Sequence, residues 1–592
     1  MTVDLVLGPL LRHVDETSAA IWVEVQGPAE VTVRLEGHDG VWRSPTFAVH
    51  GHHYALVEVS GLRVGTETTY RVELDGSQVW PPVGSVRPAS RLRTVRKDQP
   101  LRMGFGSCRT SVPHDAVGHL THGVDALRTY GIAQARGDSA PAWPDLMLLL
   151  GDQVYADETS KEMKEFIESR RSLSEPPGEE LRDFQEYAHL YSLAWGEPWL
   201  RWLLSCLPTL MIFDDHDVRD DWNSSWGWRE QMRATSWWHG RIVAALSSYW
   251  VYQHLGNLSM AERADDEVWA HWQQRRSETD GEVDLSEMLD AFAARVDREP
   301  DTYRWSYARD LGESRLVVVD SRAGRVLEPG RRSMLDETEM QWLDRQLHGD
   351  HQHLFIGTSL PFLLPPGLHH LEAWNEAMVA GAWGRIVARI SEKLRLRVDL
   401  EHWAAFQDSF RRVAGMVGEV SRGLRGEAPA TVTFLSGDVH HSYIAEVESG
   451  HGGSSRILQL VCSPIRNPLP RAIRASTGIM AHRVASPLGA RAARSADVPA
   501  SPWRWDTIAG PWYDNNIAIV QVLGDQMEVT WWTGEVQHGE HERPRMAQVA
   551  QVNLTAPQGR PHQPAQASLR ARSRGLRPHV QRRTTARSSR RR

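Results

Sequence analysis

The stretch Leu146-Met147-Leu148-Leu149-Leu150-Gly151-Asp152-Gln153-Val154-Tyr155-Ala156-Asp157 decides the fold class. Five apolar residues in a row, without polar alternation, predict a strand buried on both faces, and the Gly-Asp that follows marks its carboxyl end. The same grammar recurs on either side. Leu101–Gly106 runs into Ser107-Cys108-Arg109, Leu210–Phe213 into Asp214-Asp215-His216, Leu316–Val319 into Asp320-Ser321, and Val432–Leu435 into Ser436-Gly437-Asp438. Helical patterns over Leu181–Leu207, Arg229–Leu255 and Leu335–Leu347 lie between several of these runs, and Ile457–Val461, Ala518–Val522 and Met527–Trp532 read as further strands. Buried strands alternating with helices predict an α/β domain over about residues 100–540, with ligands beyond the carboxyl ends of its strands.

Upstream, residues 1–95 have a different pattern. Short β-branched or alternating segments, Ala20–Val25, Glu30–Leu35 and Thr69–Leu74, are separated by Gly, Pro and Asp. They predict a small all-β, fibronectin-like sandwich domain. Residues 261–300 are charged and polar, which predicts a helical surface insertion, with a lid as one role. Residues 545–592 predict a disordered Arg-rich tail.

Charge is unevenly spread. The 592-residue chain carries a formal −8, yet Arg543 to Arg592 holds 13 Arg and no Asp, Glu or Lys, so residues 1–542 carry −8 − 13 = −21. An acidic body suits cation binding and not non-specific nucleic-acid binding, whereas the tail suits weak contact with anionic surfaces. Three cysteines, Cys108, Cys206 and Cys462, are too few for a disulfide framework. Cys206 and Cys462 read as buried and inert. Neither a secretory signal nor a membrane-spanning run is read, so the expected location is cytoplasmic. Most of the 25 Trp read as core.

The chemistry is carried by four clusters at strand ends: Gly106-Ser107-Cys108-Arg109, Gly151–Asp157, Phe213–Asp217 and Ser436-Gly437-Asp438-Val439-His440-His441. Each alone is weak evidence of a site. Together they offer oxygen, nitrogen and sulfur ligands to metal ions. Attack on a phosphate ester needs such a set, because two cations bridged by a carboxylate offset the repulsion between an anionic substrate and an anionic nucleophile. Arg109 is a candidate to hold a phosphoryl oxygen.

Jointly the clusters resemble the alkaline phosphatase D (PhoD-like) family of calcineurin-like metallophosphoesterases, over roughly residues 100–535. Gly151–Asp157 also resembles the purple acid phosphatase segment that supplies a bridging Asp and an iron-binding Tyr. The resemblance implies a four-layer α/β sandwich and hydrolysis of phosphomonoesters or phosphodiesters at a dinuclear site. It implies that Asp152 bridges the metals, that Tyr155 binds Fe³⁺, and that Cys108 replaces an opening carboxylate. Asp215 then falls at a metal-ligand position, His216 at the acid or oxyanion position, and Asp438 and His440 at the two ligands of the last motif. Gly357-Thr358-Ser359 stands where many relatives place a His, so a hard second ion, Ca²⁺ ahead of Mn²⁺ or Zn²⁺, is expected. Ser359, Glu372, Trp374 and His441 are expected around the substrate, and Asp320 behind the ligands. The rival expectations are a lipid- or nucleotide-specific phosphodiesterase and a degenerate, non-catalytic binding module.

Overall fold

In the computed structural model, which describes residues 3–96, 99–397, 400–450, 452–469 and 485–555, two sheets pack face to face with helices outside them. The first runs in the order Thr209–Ile212, Leu146–Leu150, Leu101–Gly106, Ile517–Leu523, Gln526–Glu535, Arg545–Asn553. Its first three strands are parallel, with Met103 opposite Leu146 and Met147 opposite Thr209. The second runs Tyr307–Leu311, Ser314–Val319, His353–Thr358, Thr431–Ser436, Arg456–Val461, Ser442–Val447, Trp505–Trp512, and its four strands from Ser314–Val319 to Arg456–Val461 are parallel. Leu146–Leu150 is buried at every position, as expected of a central parallel strand covered on both faces. Parallel register brings all these carboxyl ends to one rim. No described helix is long and apolar enough to cross a membrane.

The N-terminal region is all β. Its two sheets alternate inward and outward residues, so Ile21 and Val23 face the opposing sheet while Ala20 and Trp22 join the large core of the α/β body. The sandwich is therefore fused to the body. The Arg12 guanidinium donates to the carbonyls of Gln253 (2.6 Å) and Tyr252 (3.3 Å) and to Asn257 Oδ1 (3.2 Å). The predicted helix over Leu181–Leu207 is two helices, Phe184–Trp195 and Pro198–Cys206, because Gly196 and Pro198 interrupt it.

Two expectations are corrected. Residues 261–300 do form helices, but as a brace and not a lid. Val283–Asp284 adds a parallel strand beside Phe47–Val49, and Trp269 and Trp272 bury their rings against Phe47 (6.4 and 6.0 Å between centroids). The tail begins later than 545: Arg545–Asn553 is an edge strand paired antiparallel with Gln526–Glu535. The remaining Arg-rich residues, 556–592, lie outside the described residues.

Candidate metal centre

The loops at the rim carry four of the ten non-glycine residues with positive φ among the described residues. Cys108, Asp152, Asp438 and His440 all have positive φ (58°, 49°, 64° and 53°). Each such non-glycine residue costs about 1–3 kcal/mol and persists only where its surroundings hold it. Here the loops hold one another. Cys108 N–H donates to the Gly151 carbonyl (3.3 Å), Arg109 N–H to that of Asp152 (3.0 Å), and Gly437 N–H to that of Ser359 (2.9 Å). The Asp217 carboxylate accepts from the N–H groups of Asp152 and Asp214 (2.9 Å each). It also accepts from Gln253 Nε2 (3.1 Å), which a π-helical turn, Trp250–His254, turns toward it. Two glycines permit the approach: a Cβ on Gly151 would lie 2.6 Å from that of Asp214, and one on Gly437 would lie 1.9 Å from Ser107 Oγ.

Held this way, Asp152, Asp214, Asp215 and Asp438 each present a carboxylate oxygen within 4.8 Å of the others. The Arg322 guanidinium, fully buried, reaches three acids: Asp214, Asp215 (3.1 Å) and Glu401 (2.7 Å). One guanidinium does not balance four carboxylates. Burial, with Asp215 and Asp438 adding to it against Arg322, pushes the Asp214 carboxyl up to about 8. Burial also pushes Asp217 up to about 7 against its hydrogen bonds. The Cys108 thiol is raised by burial and then by Asp152 and Asp438, and Tyr155 by burial and then by Cys108 and Asp152. Asp152 Oδ1 and Asp214 Oδ2 are buried and find no hydrogen-bond donor among the described residues. Carboxylates this crowded, two of them with unpaired buried oxygens, fit metal cations. The four carboxylates could hold a metal ion, with the Cys108 thiol, the Tyr155 phenol and the His440 imidazole in the neighbouring loops.

The PhoD-like phosphatase family matches residues 126–490, well over half of the chain. The chain belongs to this family. Residues 2–92 match a separate domain family of unknown function, DUF7800. Among solved structures, one described as the structure of PhoD is similar, with a TM-score of 0.56 and 13% identity over 93% of this chain and 90% of that one; at that identity the likeness shows the fold alone. The purple acid phosphatase PPD1 from yellow lupin (Lupinus luteus) seeds is similar with a TM-score of 0.45 and 9% identity, over 89% of this chain and 71% of that one. No curated protein matches the chain.

Within this PhoD-like phosphatase, Asp152, Asp215 and Asp438 meet in the carboxylate cluster. Tyr155 Oη lies 3.5 Å from Asp152 Oδ2, and Cys108 Sγ lies 3.7 Å from the Asp438 carbonyl and receives a hydrogen bond from Ser463 Oγ (3.3 Å). His216 lies against Tyr155 with its ring tilted by 33° (4.6 Å between centroids) and Nδ1 bound to Asp157 Oδ1 (2.9 Å). Burial pulls His216 down, but the Asp157 and Asp215 carboxylates outweigh it and raise it well above the ordinary imidazole range. His440, beside Asp438, is lowered by burial to about 4 and is neutral at physiological pH, the form that ligates metals. His441 is buried, its Nδ1 donating to the Val439 carbonyl (2.7 Å), its ring near Tyr443 and Tyr513. Asp320 accepts from the N–H groups of Arg322 (2.7 Å) and Ala323 (3.0 Å) and so shapes the turn that presents Arg322.

Four assignments need correction. Arg109 does not face the cluster: its guanidinium is buried on Asp125 (2.8 Å) and the Ala194 carbonyl. Ser359 is fully buried with its hydroxyl on Ser321 Oγ (2.8 Å), leaving none free for substrate. Glu372 is buried and bonded to His402 Nδ1 (2.7 Å), so it positions that ring instead of touching substrate. Trp374, two residues on and about 200° round the helix, is edge-on to Trp383.

The residues missed are Asp157, Asp214, Arg322, Glu401 and His402. His402 Nε2 lies 3.0 Å from Asp438 Oδ2 with Glu372 behind it, a carboxylate–imidazole pair of the kind that orients metal-site histidines. Asp157 and Asp214 stand inside the quoted clusters and were readable as spare carboxylates. Arg322 follows the Asp320-Ser321 strand end by one residue.

Proposed function

We propose that the chain hydrolyses phosphate esters at a dinuclear metal site centred on Asp152. The observation that carries this reading is the four-carboxylate cluster with unpaired buried oxygens, presented at the joined rim of the two sheets. Asp152 would bridge; Cys108 and Tyr155, both strong anionic donors when deprotonated, favour Fe³⁺; Asp215, Asp438 and His440, with Asp214 beside them, suit a harder divalent ion such as Ca²⁺. When bound, the ions would supply Lewis-acid polarisation of the phosphoryl oxygens and a lowered water pKa.

The chain's own groups do the rest. Asp157 keeps the His216 Nδ1 proton and fixes the ring, leaving Nε2 as the second donor. A protonated His216 is placed to stabilise charge on the phosphoryl group or to protonate the leaving oxygen. Arg322, committed to three acids, holds Asp214 and Asp215 in place. The Glu372–His402 pair fixes Asp438.

His216→Ala tests this. Metal content should be retained while kcat falls about 10²–10³-fold, the loss typical of one such donor. The defect should shrink for esters with acidic leaving groups, which need little protonation. Near-wild-type turnover on every ester would reject the assignment.

A further inference from the structure

The helix Arg385–Arg397 stands apart from the rest of the surface. Of the thirteen large apolar side chains exposed among the described residues, three lie on this helix, Ile386 (77%), Ile390 (63%) and Leu394 (38%), and a fourth, Trp383 (51%), two residues before it. Ile386, Ile390 and Leu394 recur every four residues, so they form one row about 12 Å long on a single face. Arg385, Arg389 and Lys393 each precede a member of that row by one residue and are exposed. They form a parallel row about 100° round the helix. Among the described residues none of the three has an ion-pair partner.

The opposite flank anchors the helix. Ser391 and Arg395 are buried; the Ser391 carbonyl accepts from Asn375 Nδ2 (3.1 Å), and Arg395 pairs with Glu376 and Glu392. Both anchors lead toward the metal centre. The partner helix, Pro366–Val379, carries Glu372, and the chain beyond residue 397 returns to the centre at Glu401 and His402.

We propose that this helix is an interfacial docking element for an anionic phospholipid surface, lying with its apolar row among the acyl chains and its cation row at the headgroups. An apolar row beside unpaired cations on a short helix is the combination that binds such interfaces. Charge complementarity selects this occupant. The Arg-rich C-terminal sequence would be repelled by the cation row, and a symmetric second copy would bring two such rows together. The body, at −21 over residues 1–542, is repelled by an anionic bilayer elsewhere, so this basic edge sets the orientation. The inference stands on the helix and not on the reading of the metal centre.

The test is co-sedimentation of the full chain with vesicles of phosphatidylcholine alone and of phosphatidylcholine mixed with phosphatidylglycerol. The protein should sediment with the mixed vesicles and not with the neutral ones. Arg389→Glu with Lys393→Glu should lower the partition coefficient by about 30-fold or more. Ile386→Asn with Ile390→Asn should lower it at least about tenfold. These positions are exposed, and an unchanged melting temperature would show each variant intact. Four outcomes overturn the proposal: no sedimentation with mixed vesicles; equal sedimentation with both vesicle types; binding that survives both double variants and is lost only on deleting residues 556–592; or a dimer in size-exclusion that the Ile386/Ile390 variant splits, without vesicle binding.

Discussion

Replacing Asp217 should loosen the centre without touching a metal ligand. Its carboxylate accepts from three buried backbone N–H groups, at short range from those of Asp152 and Asp214 (2.9 Å each) and at longer range from that of Val154 (3.4 Å), and from Gln253 Nε2 (3.1 Å). Asp217→Ala strands the two short-bonded N–H groups, at about 1–3 kcal/mol each, and gives up the weaker Val154 bond, so the loss should be at least about 2–6 kcal/mol. Gln253 adds little, because its amide keeps Tyr191 Oη (2.9 Å). A domain stable by about 5–15 kcal/mol survives this at room temperature. Urea unfolding of the chelated protein measures it. The hydrogen bonds also hold Asp152 at φ 49°, a conformation of about 1–3 kcal/mol strain that relaxes once they are gone. Metal affinity should therefore fall with stability. An Asp217→Ala protein within about 1 kcal/mol of wild type, with full metal affinity, would refute the claim that this carboxylate holds the Asp152 loop.

Three further outcomes follow from the same geometry. Asp214 sits at about 8 and Asp217 at about 7, so the native state keeps protons that the unfolded chain releases. Stability of the metal-free protein should then fall as pH rises from the ordinary carboxylate range to about 8, and metal loading should flatten that slope; urea midpoints across pH, with and without chelator, check this. Glu372→Gln should weaken metal affinity about 10–100-fold while the fold is kept, read by competition with a chromogenic chelator. Arg109→Ala should destabilise by about 3–5 kcal/mol, since it leaves Asp125 buried and unpaired, with KM of the remaining folded enzyme unchanged.

The strand ends were legible because a buried parallel strand must be apolar throughout, and the turn after it must change composition abruptly. Leu146–Leu150 before Gly151-Asp152 shows both features, while Thr431–Ser436 before Gly437-Asp438 is marked by apolar Val432, Phe434 and Leu435 and the abrupt turn; the turns after these strands form the centre. Glu372, Glu401 and His402 carry no such mark: one lies inside a helix and the others in a loop between helices, so only tertiary packing brings them to Asp438. Adjacency misled at Arg109, because the positive φ at Cys108 sends the next side chain to Asp125. Polar composition hid the role of residues 261–300, where Val268, Trp269, Trp272, Leu285, Leu289 and Phe292 are spread thinly among charged residues yet all face inward. Arg545–Asn553 is exposed or half-buried at all but one position, so its alternation was too weak to mark a strand.

The most direct test of the metal-centre account is elemental analysis of purified wild type and Asp152→Asn, paired with turnover of a chromogenic phosphomonoester and phosphodiester on the same samples. The account predicts two ions per chain in wild type, iron among them, and their loss together with turnover in Asp152→Asn. An Asp152→Asn protein with full metal content and wild-type turnover would contradict it, as would a fully active wild type that holds no metal.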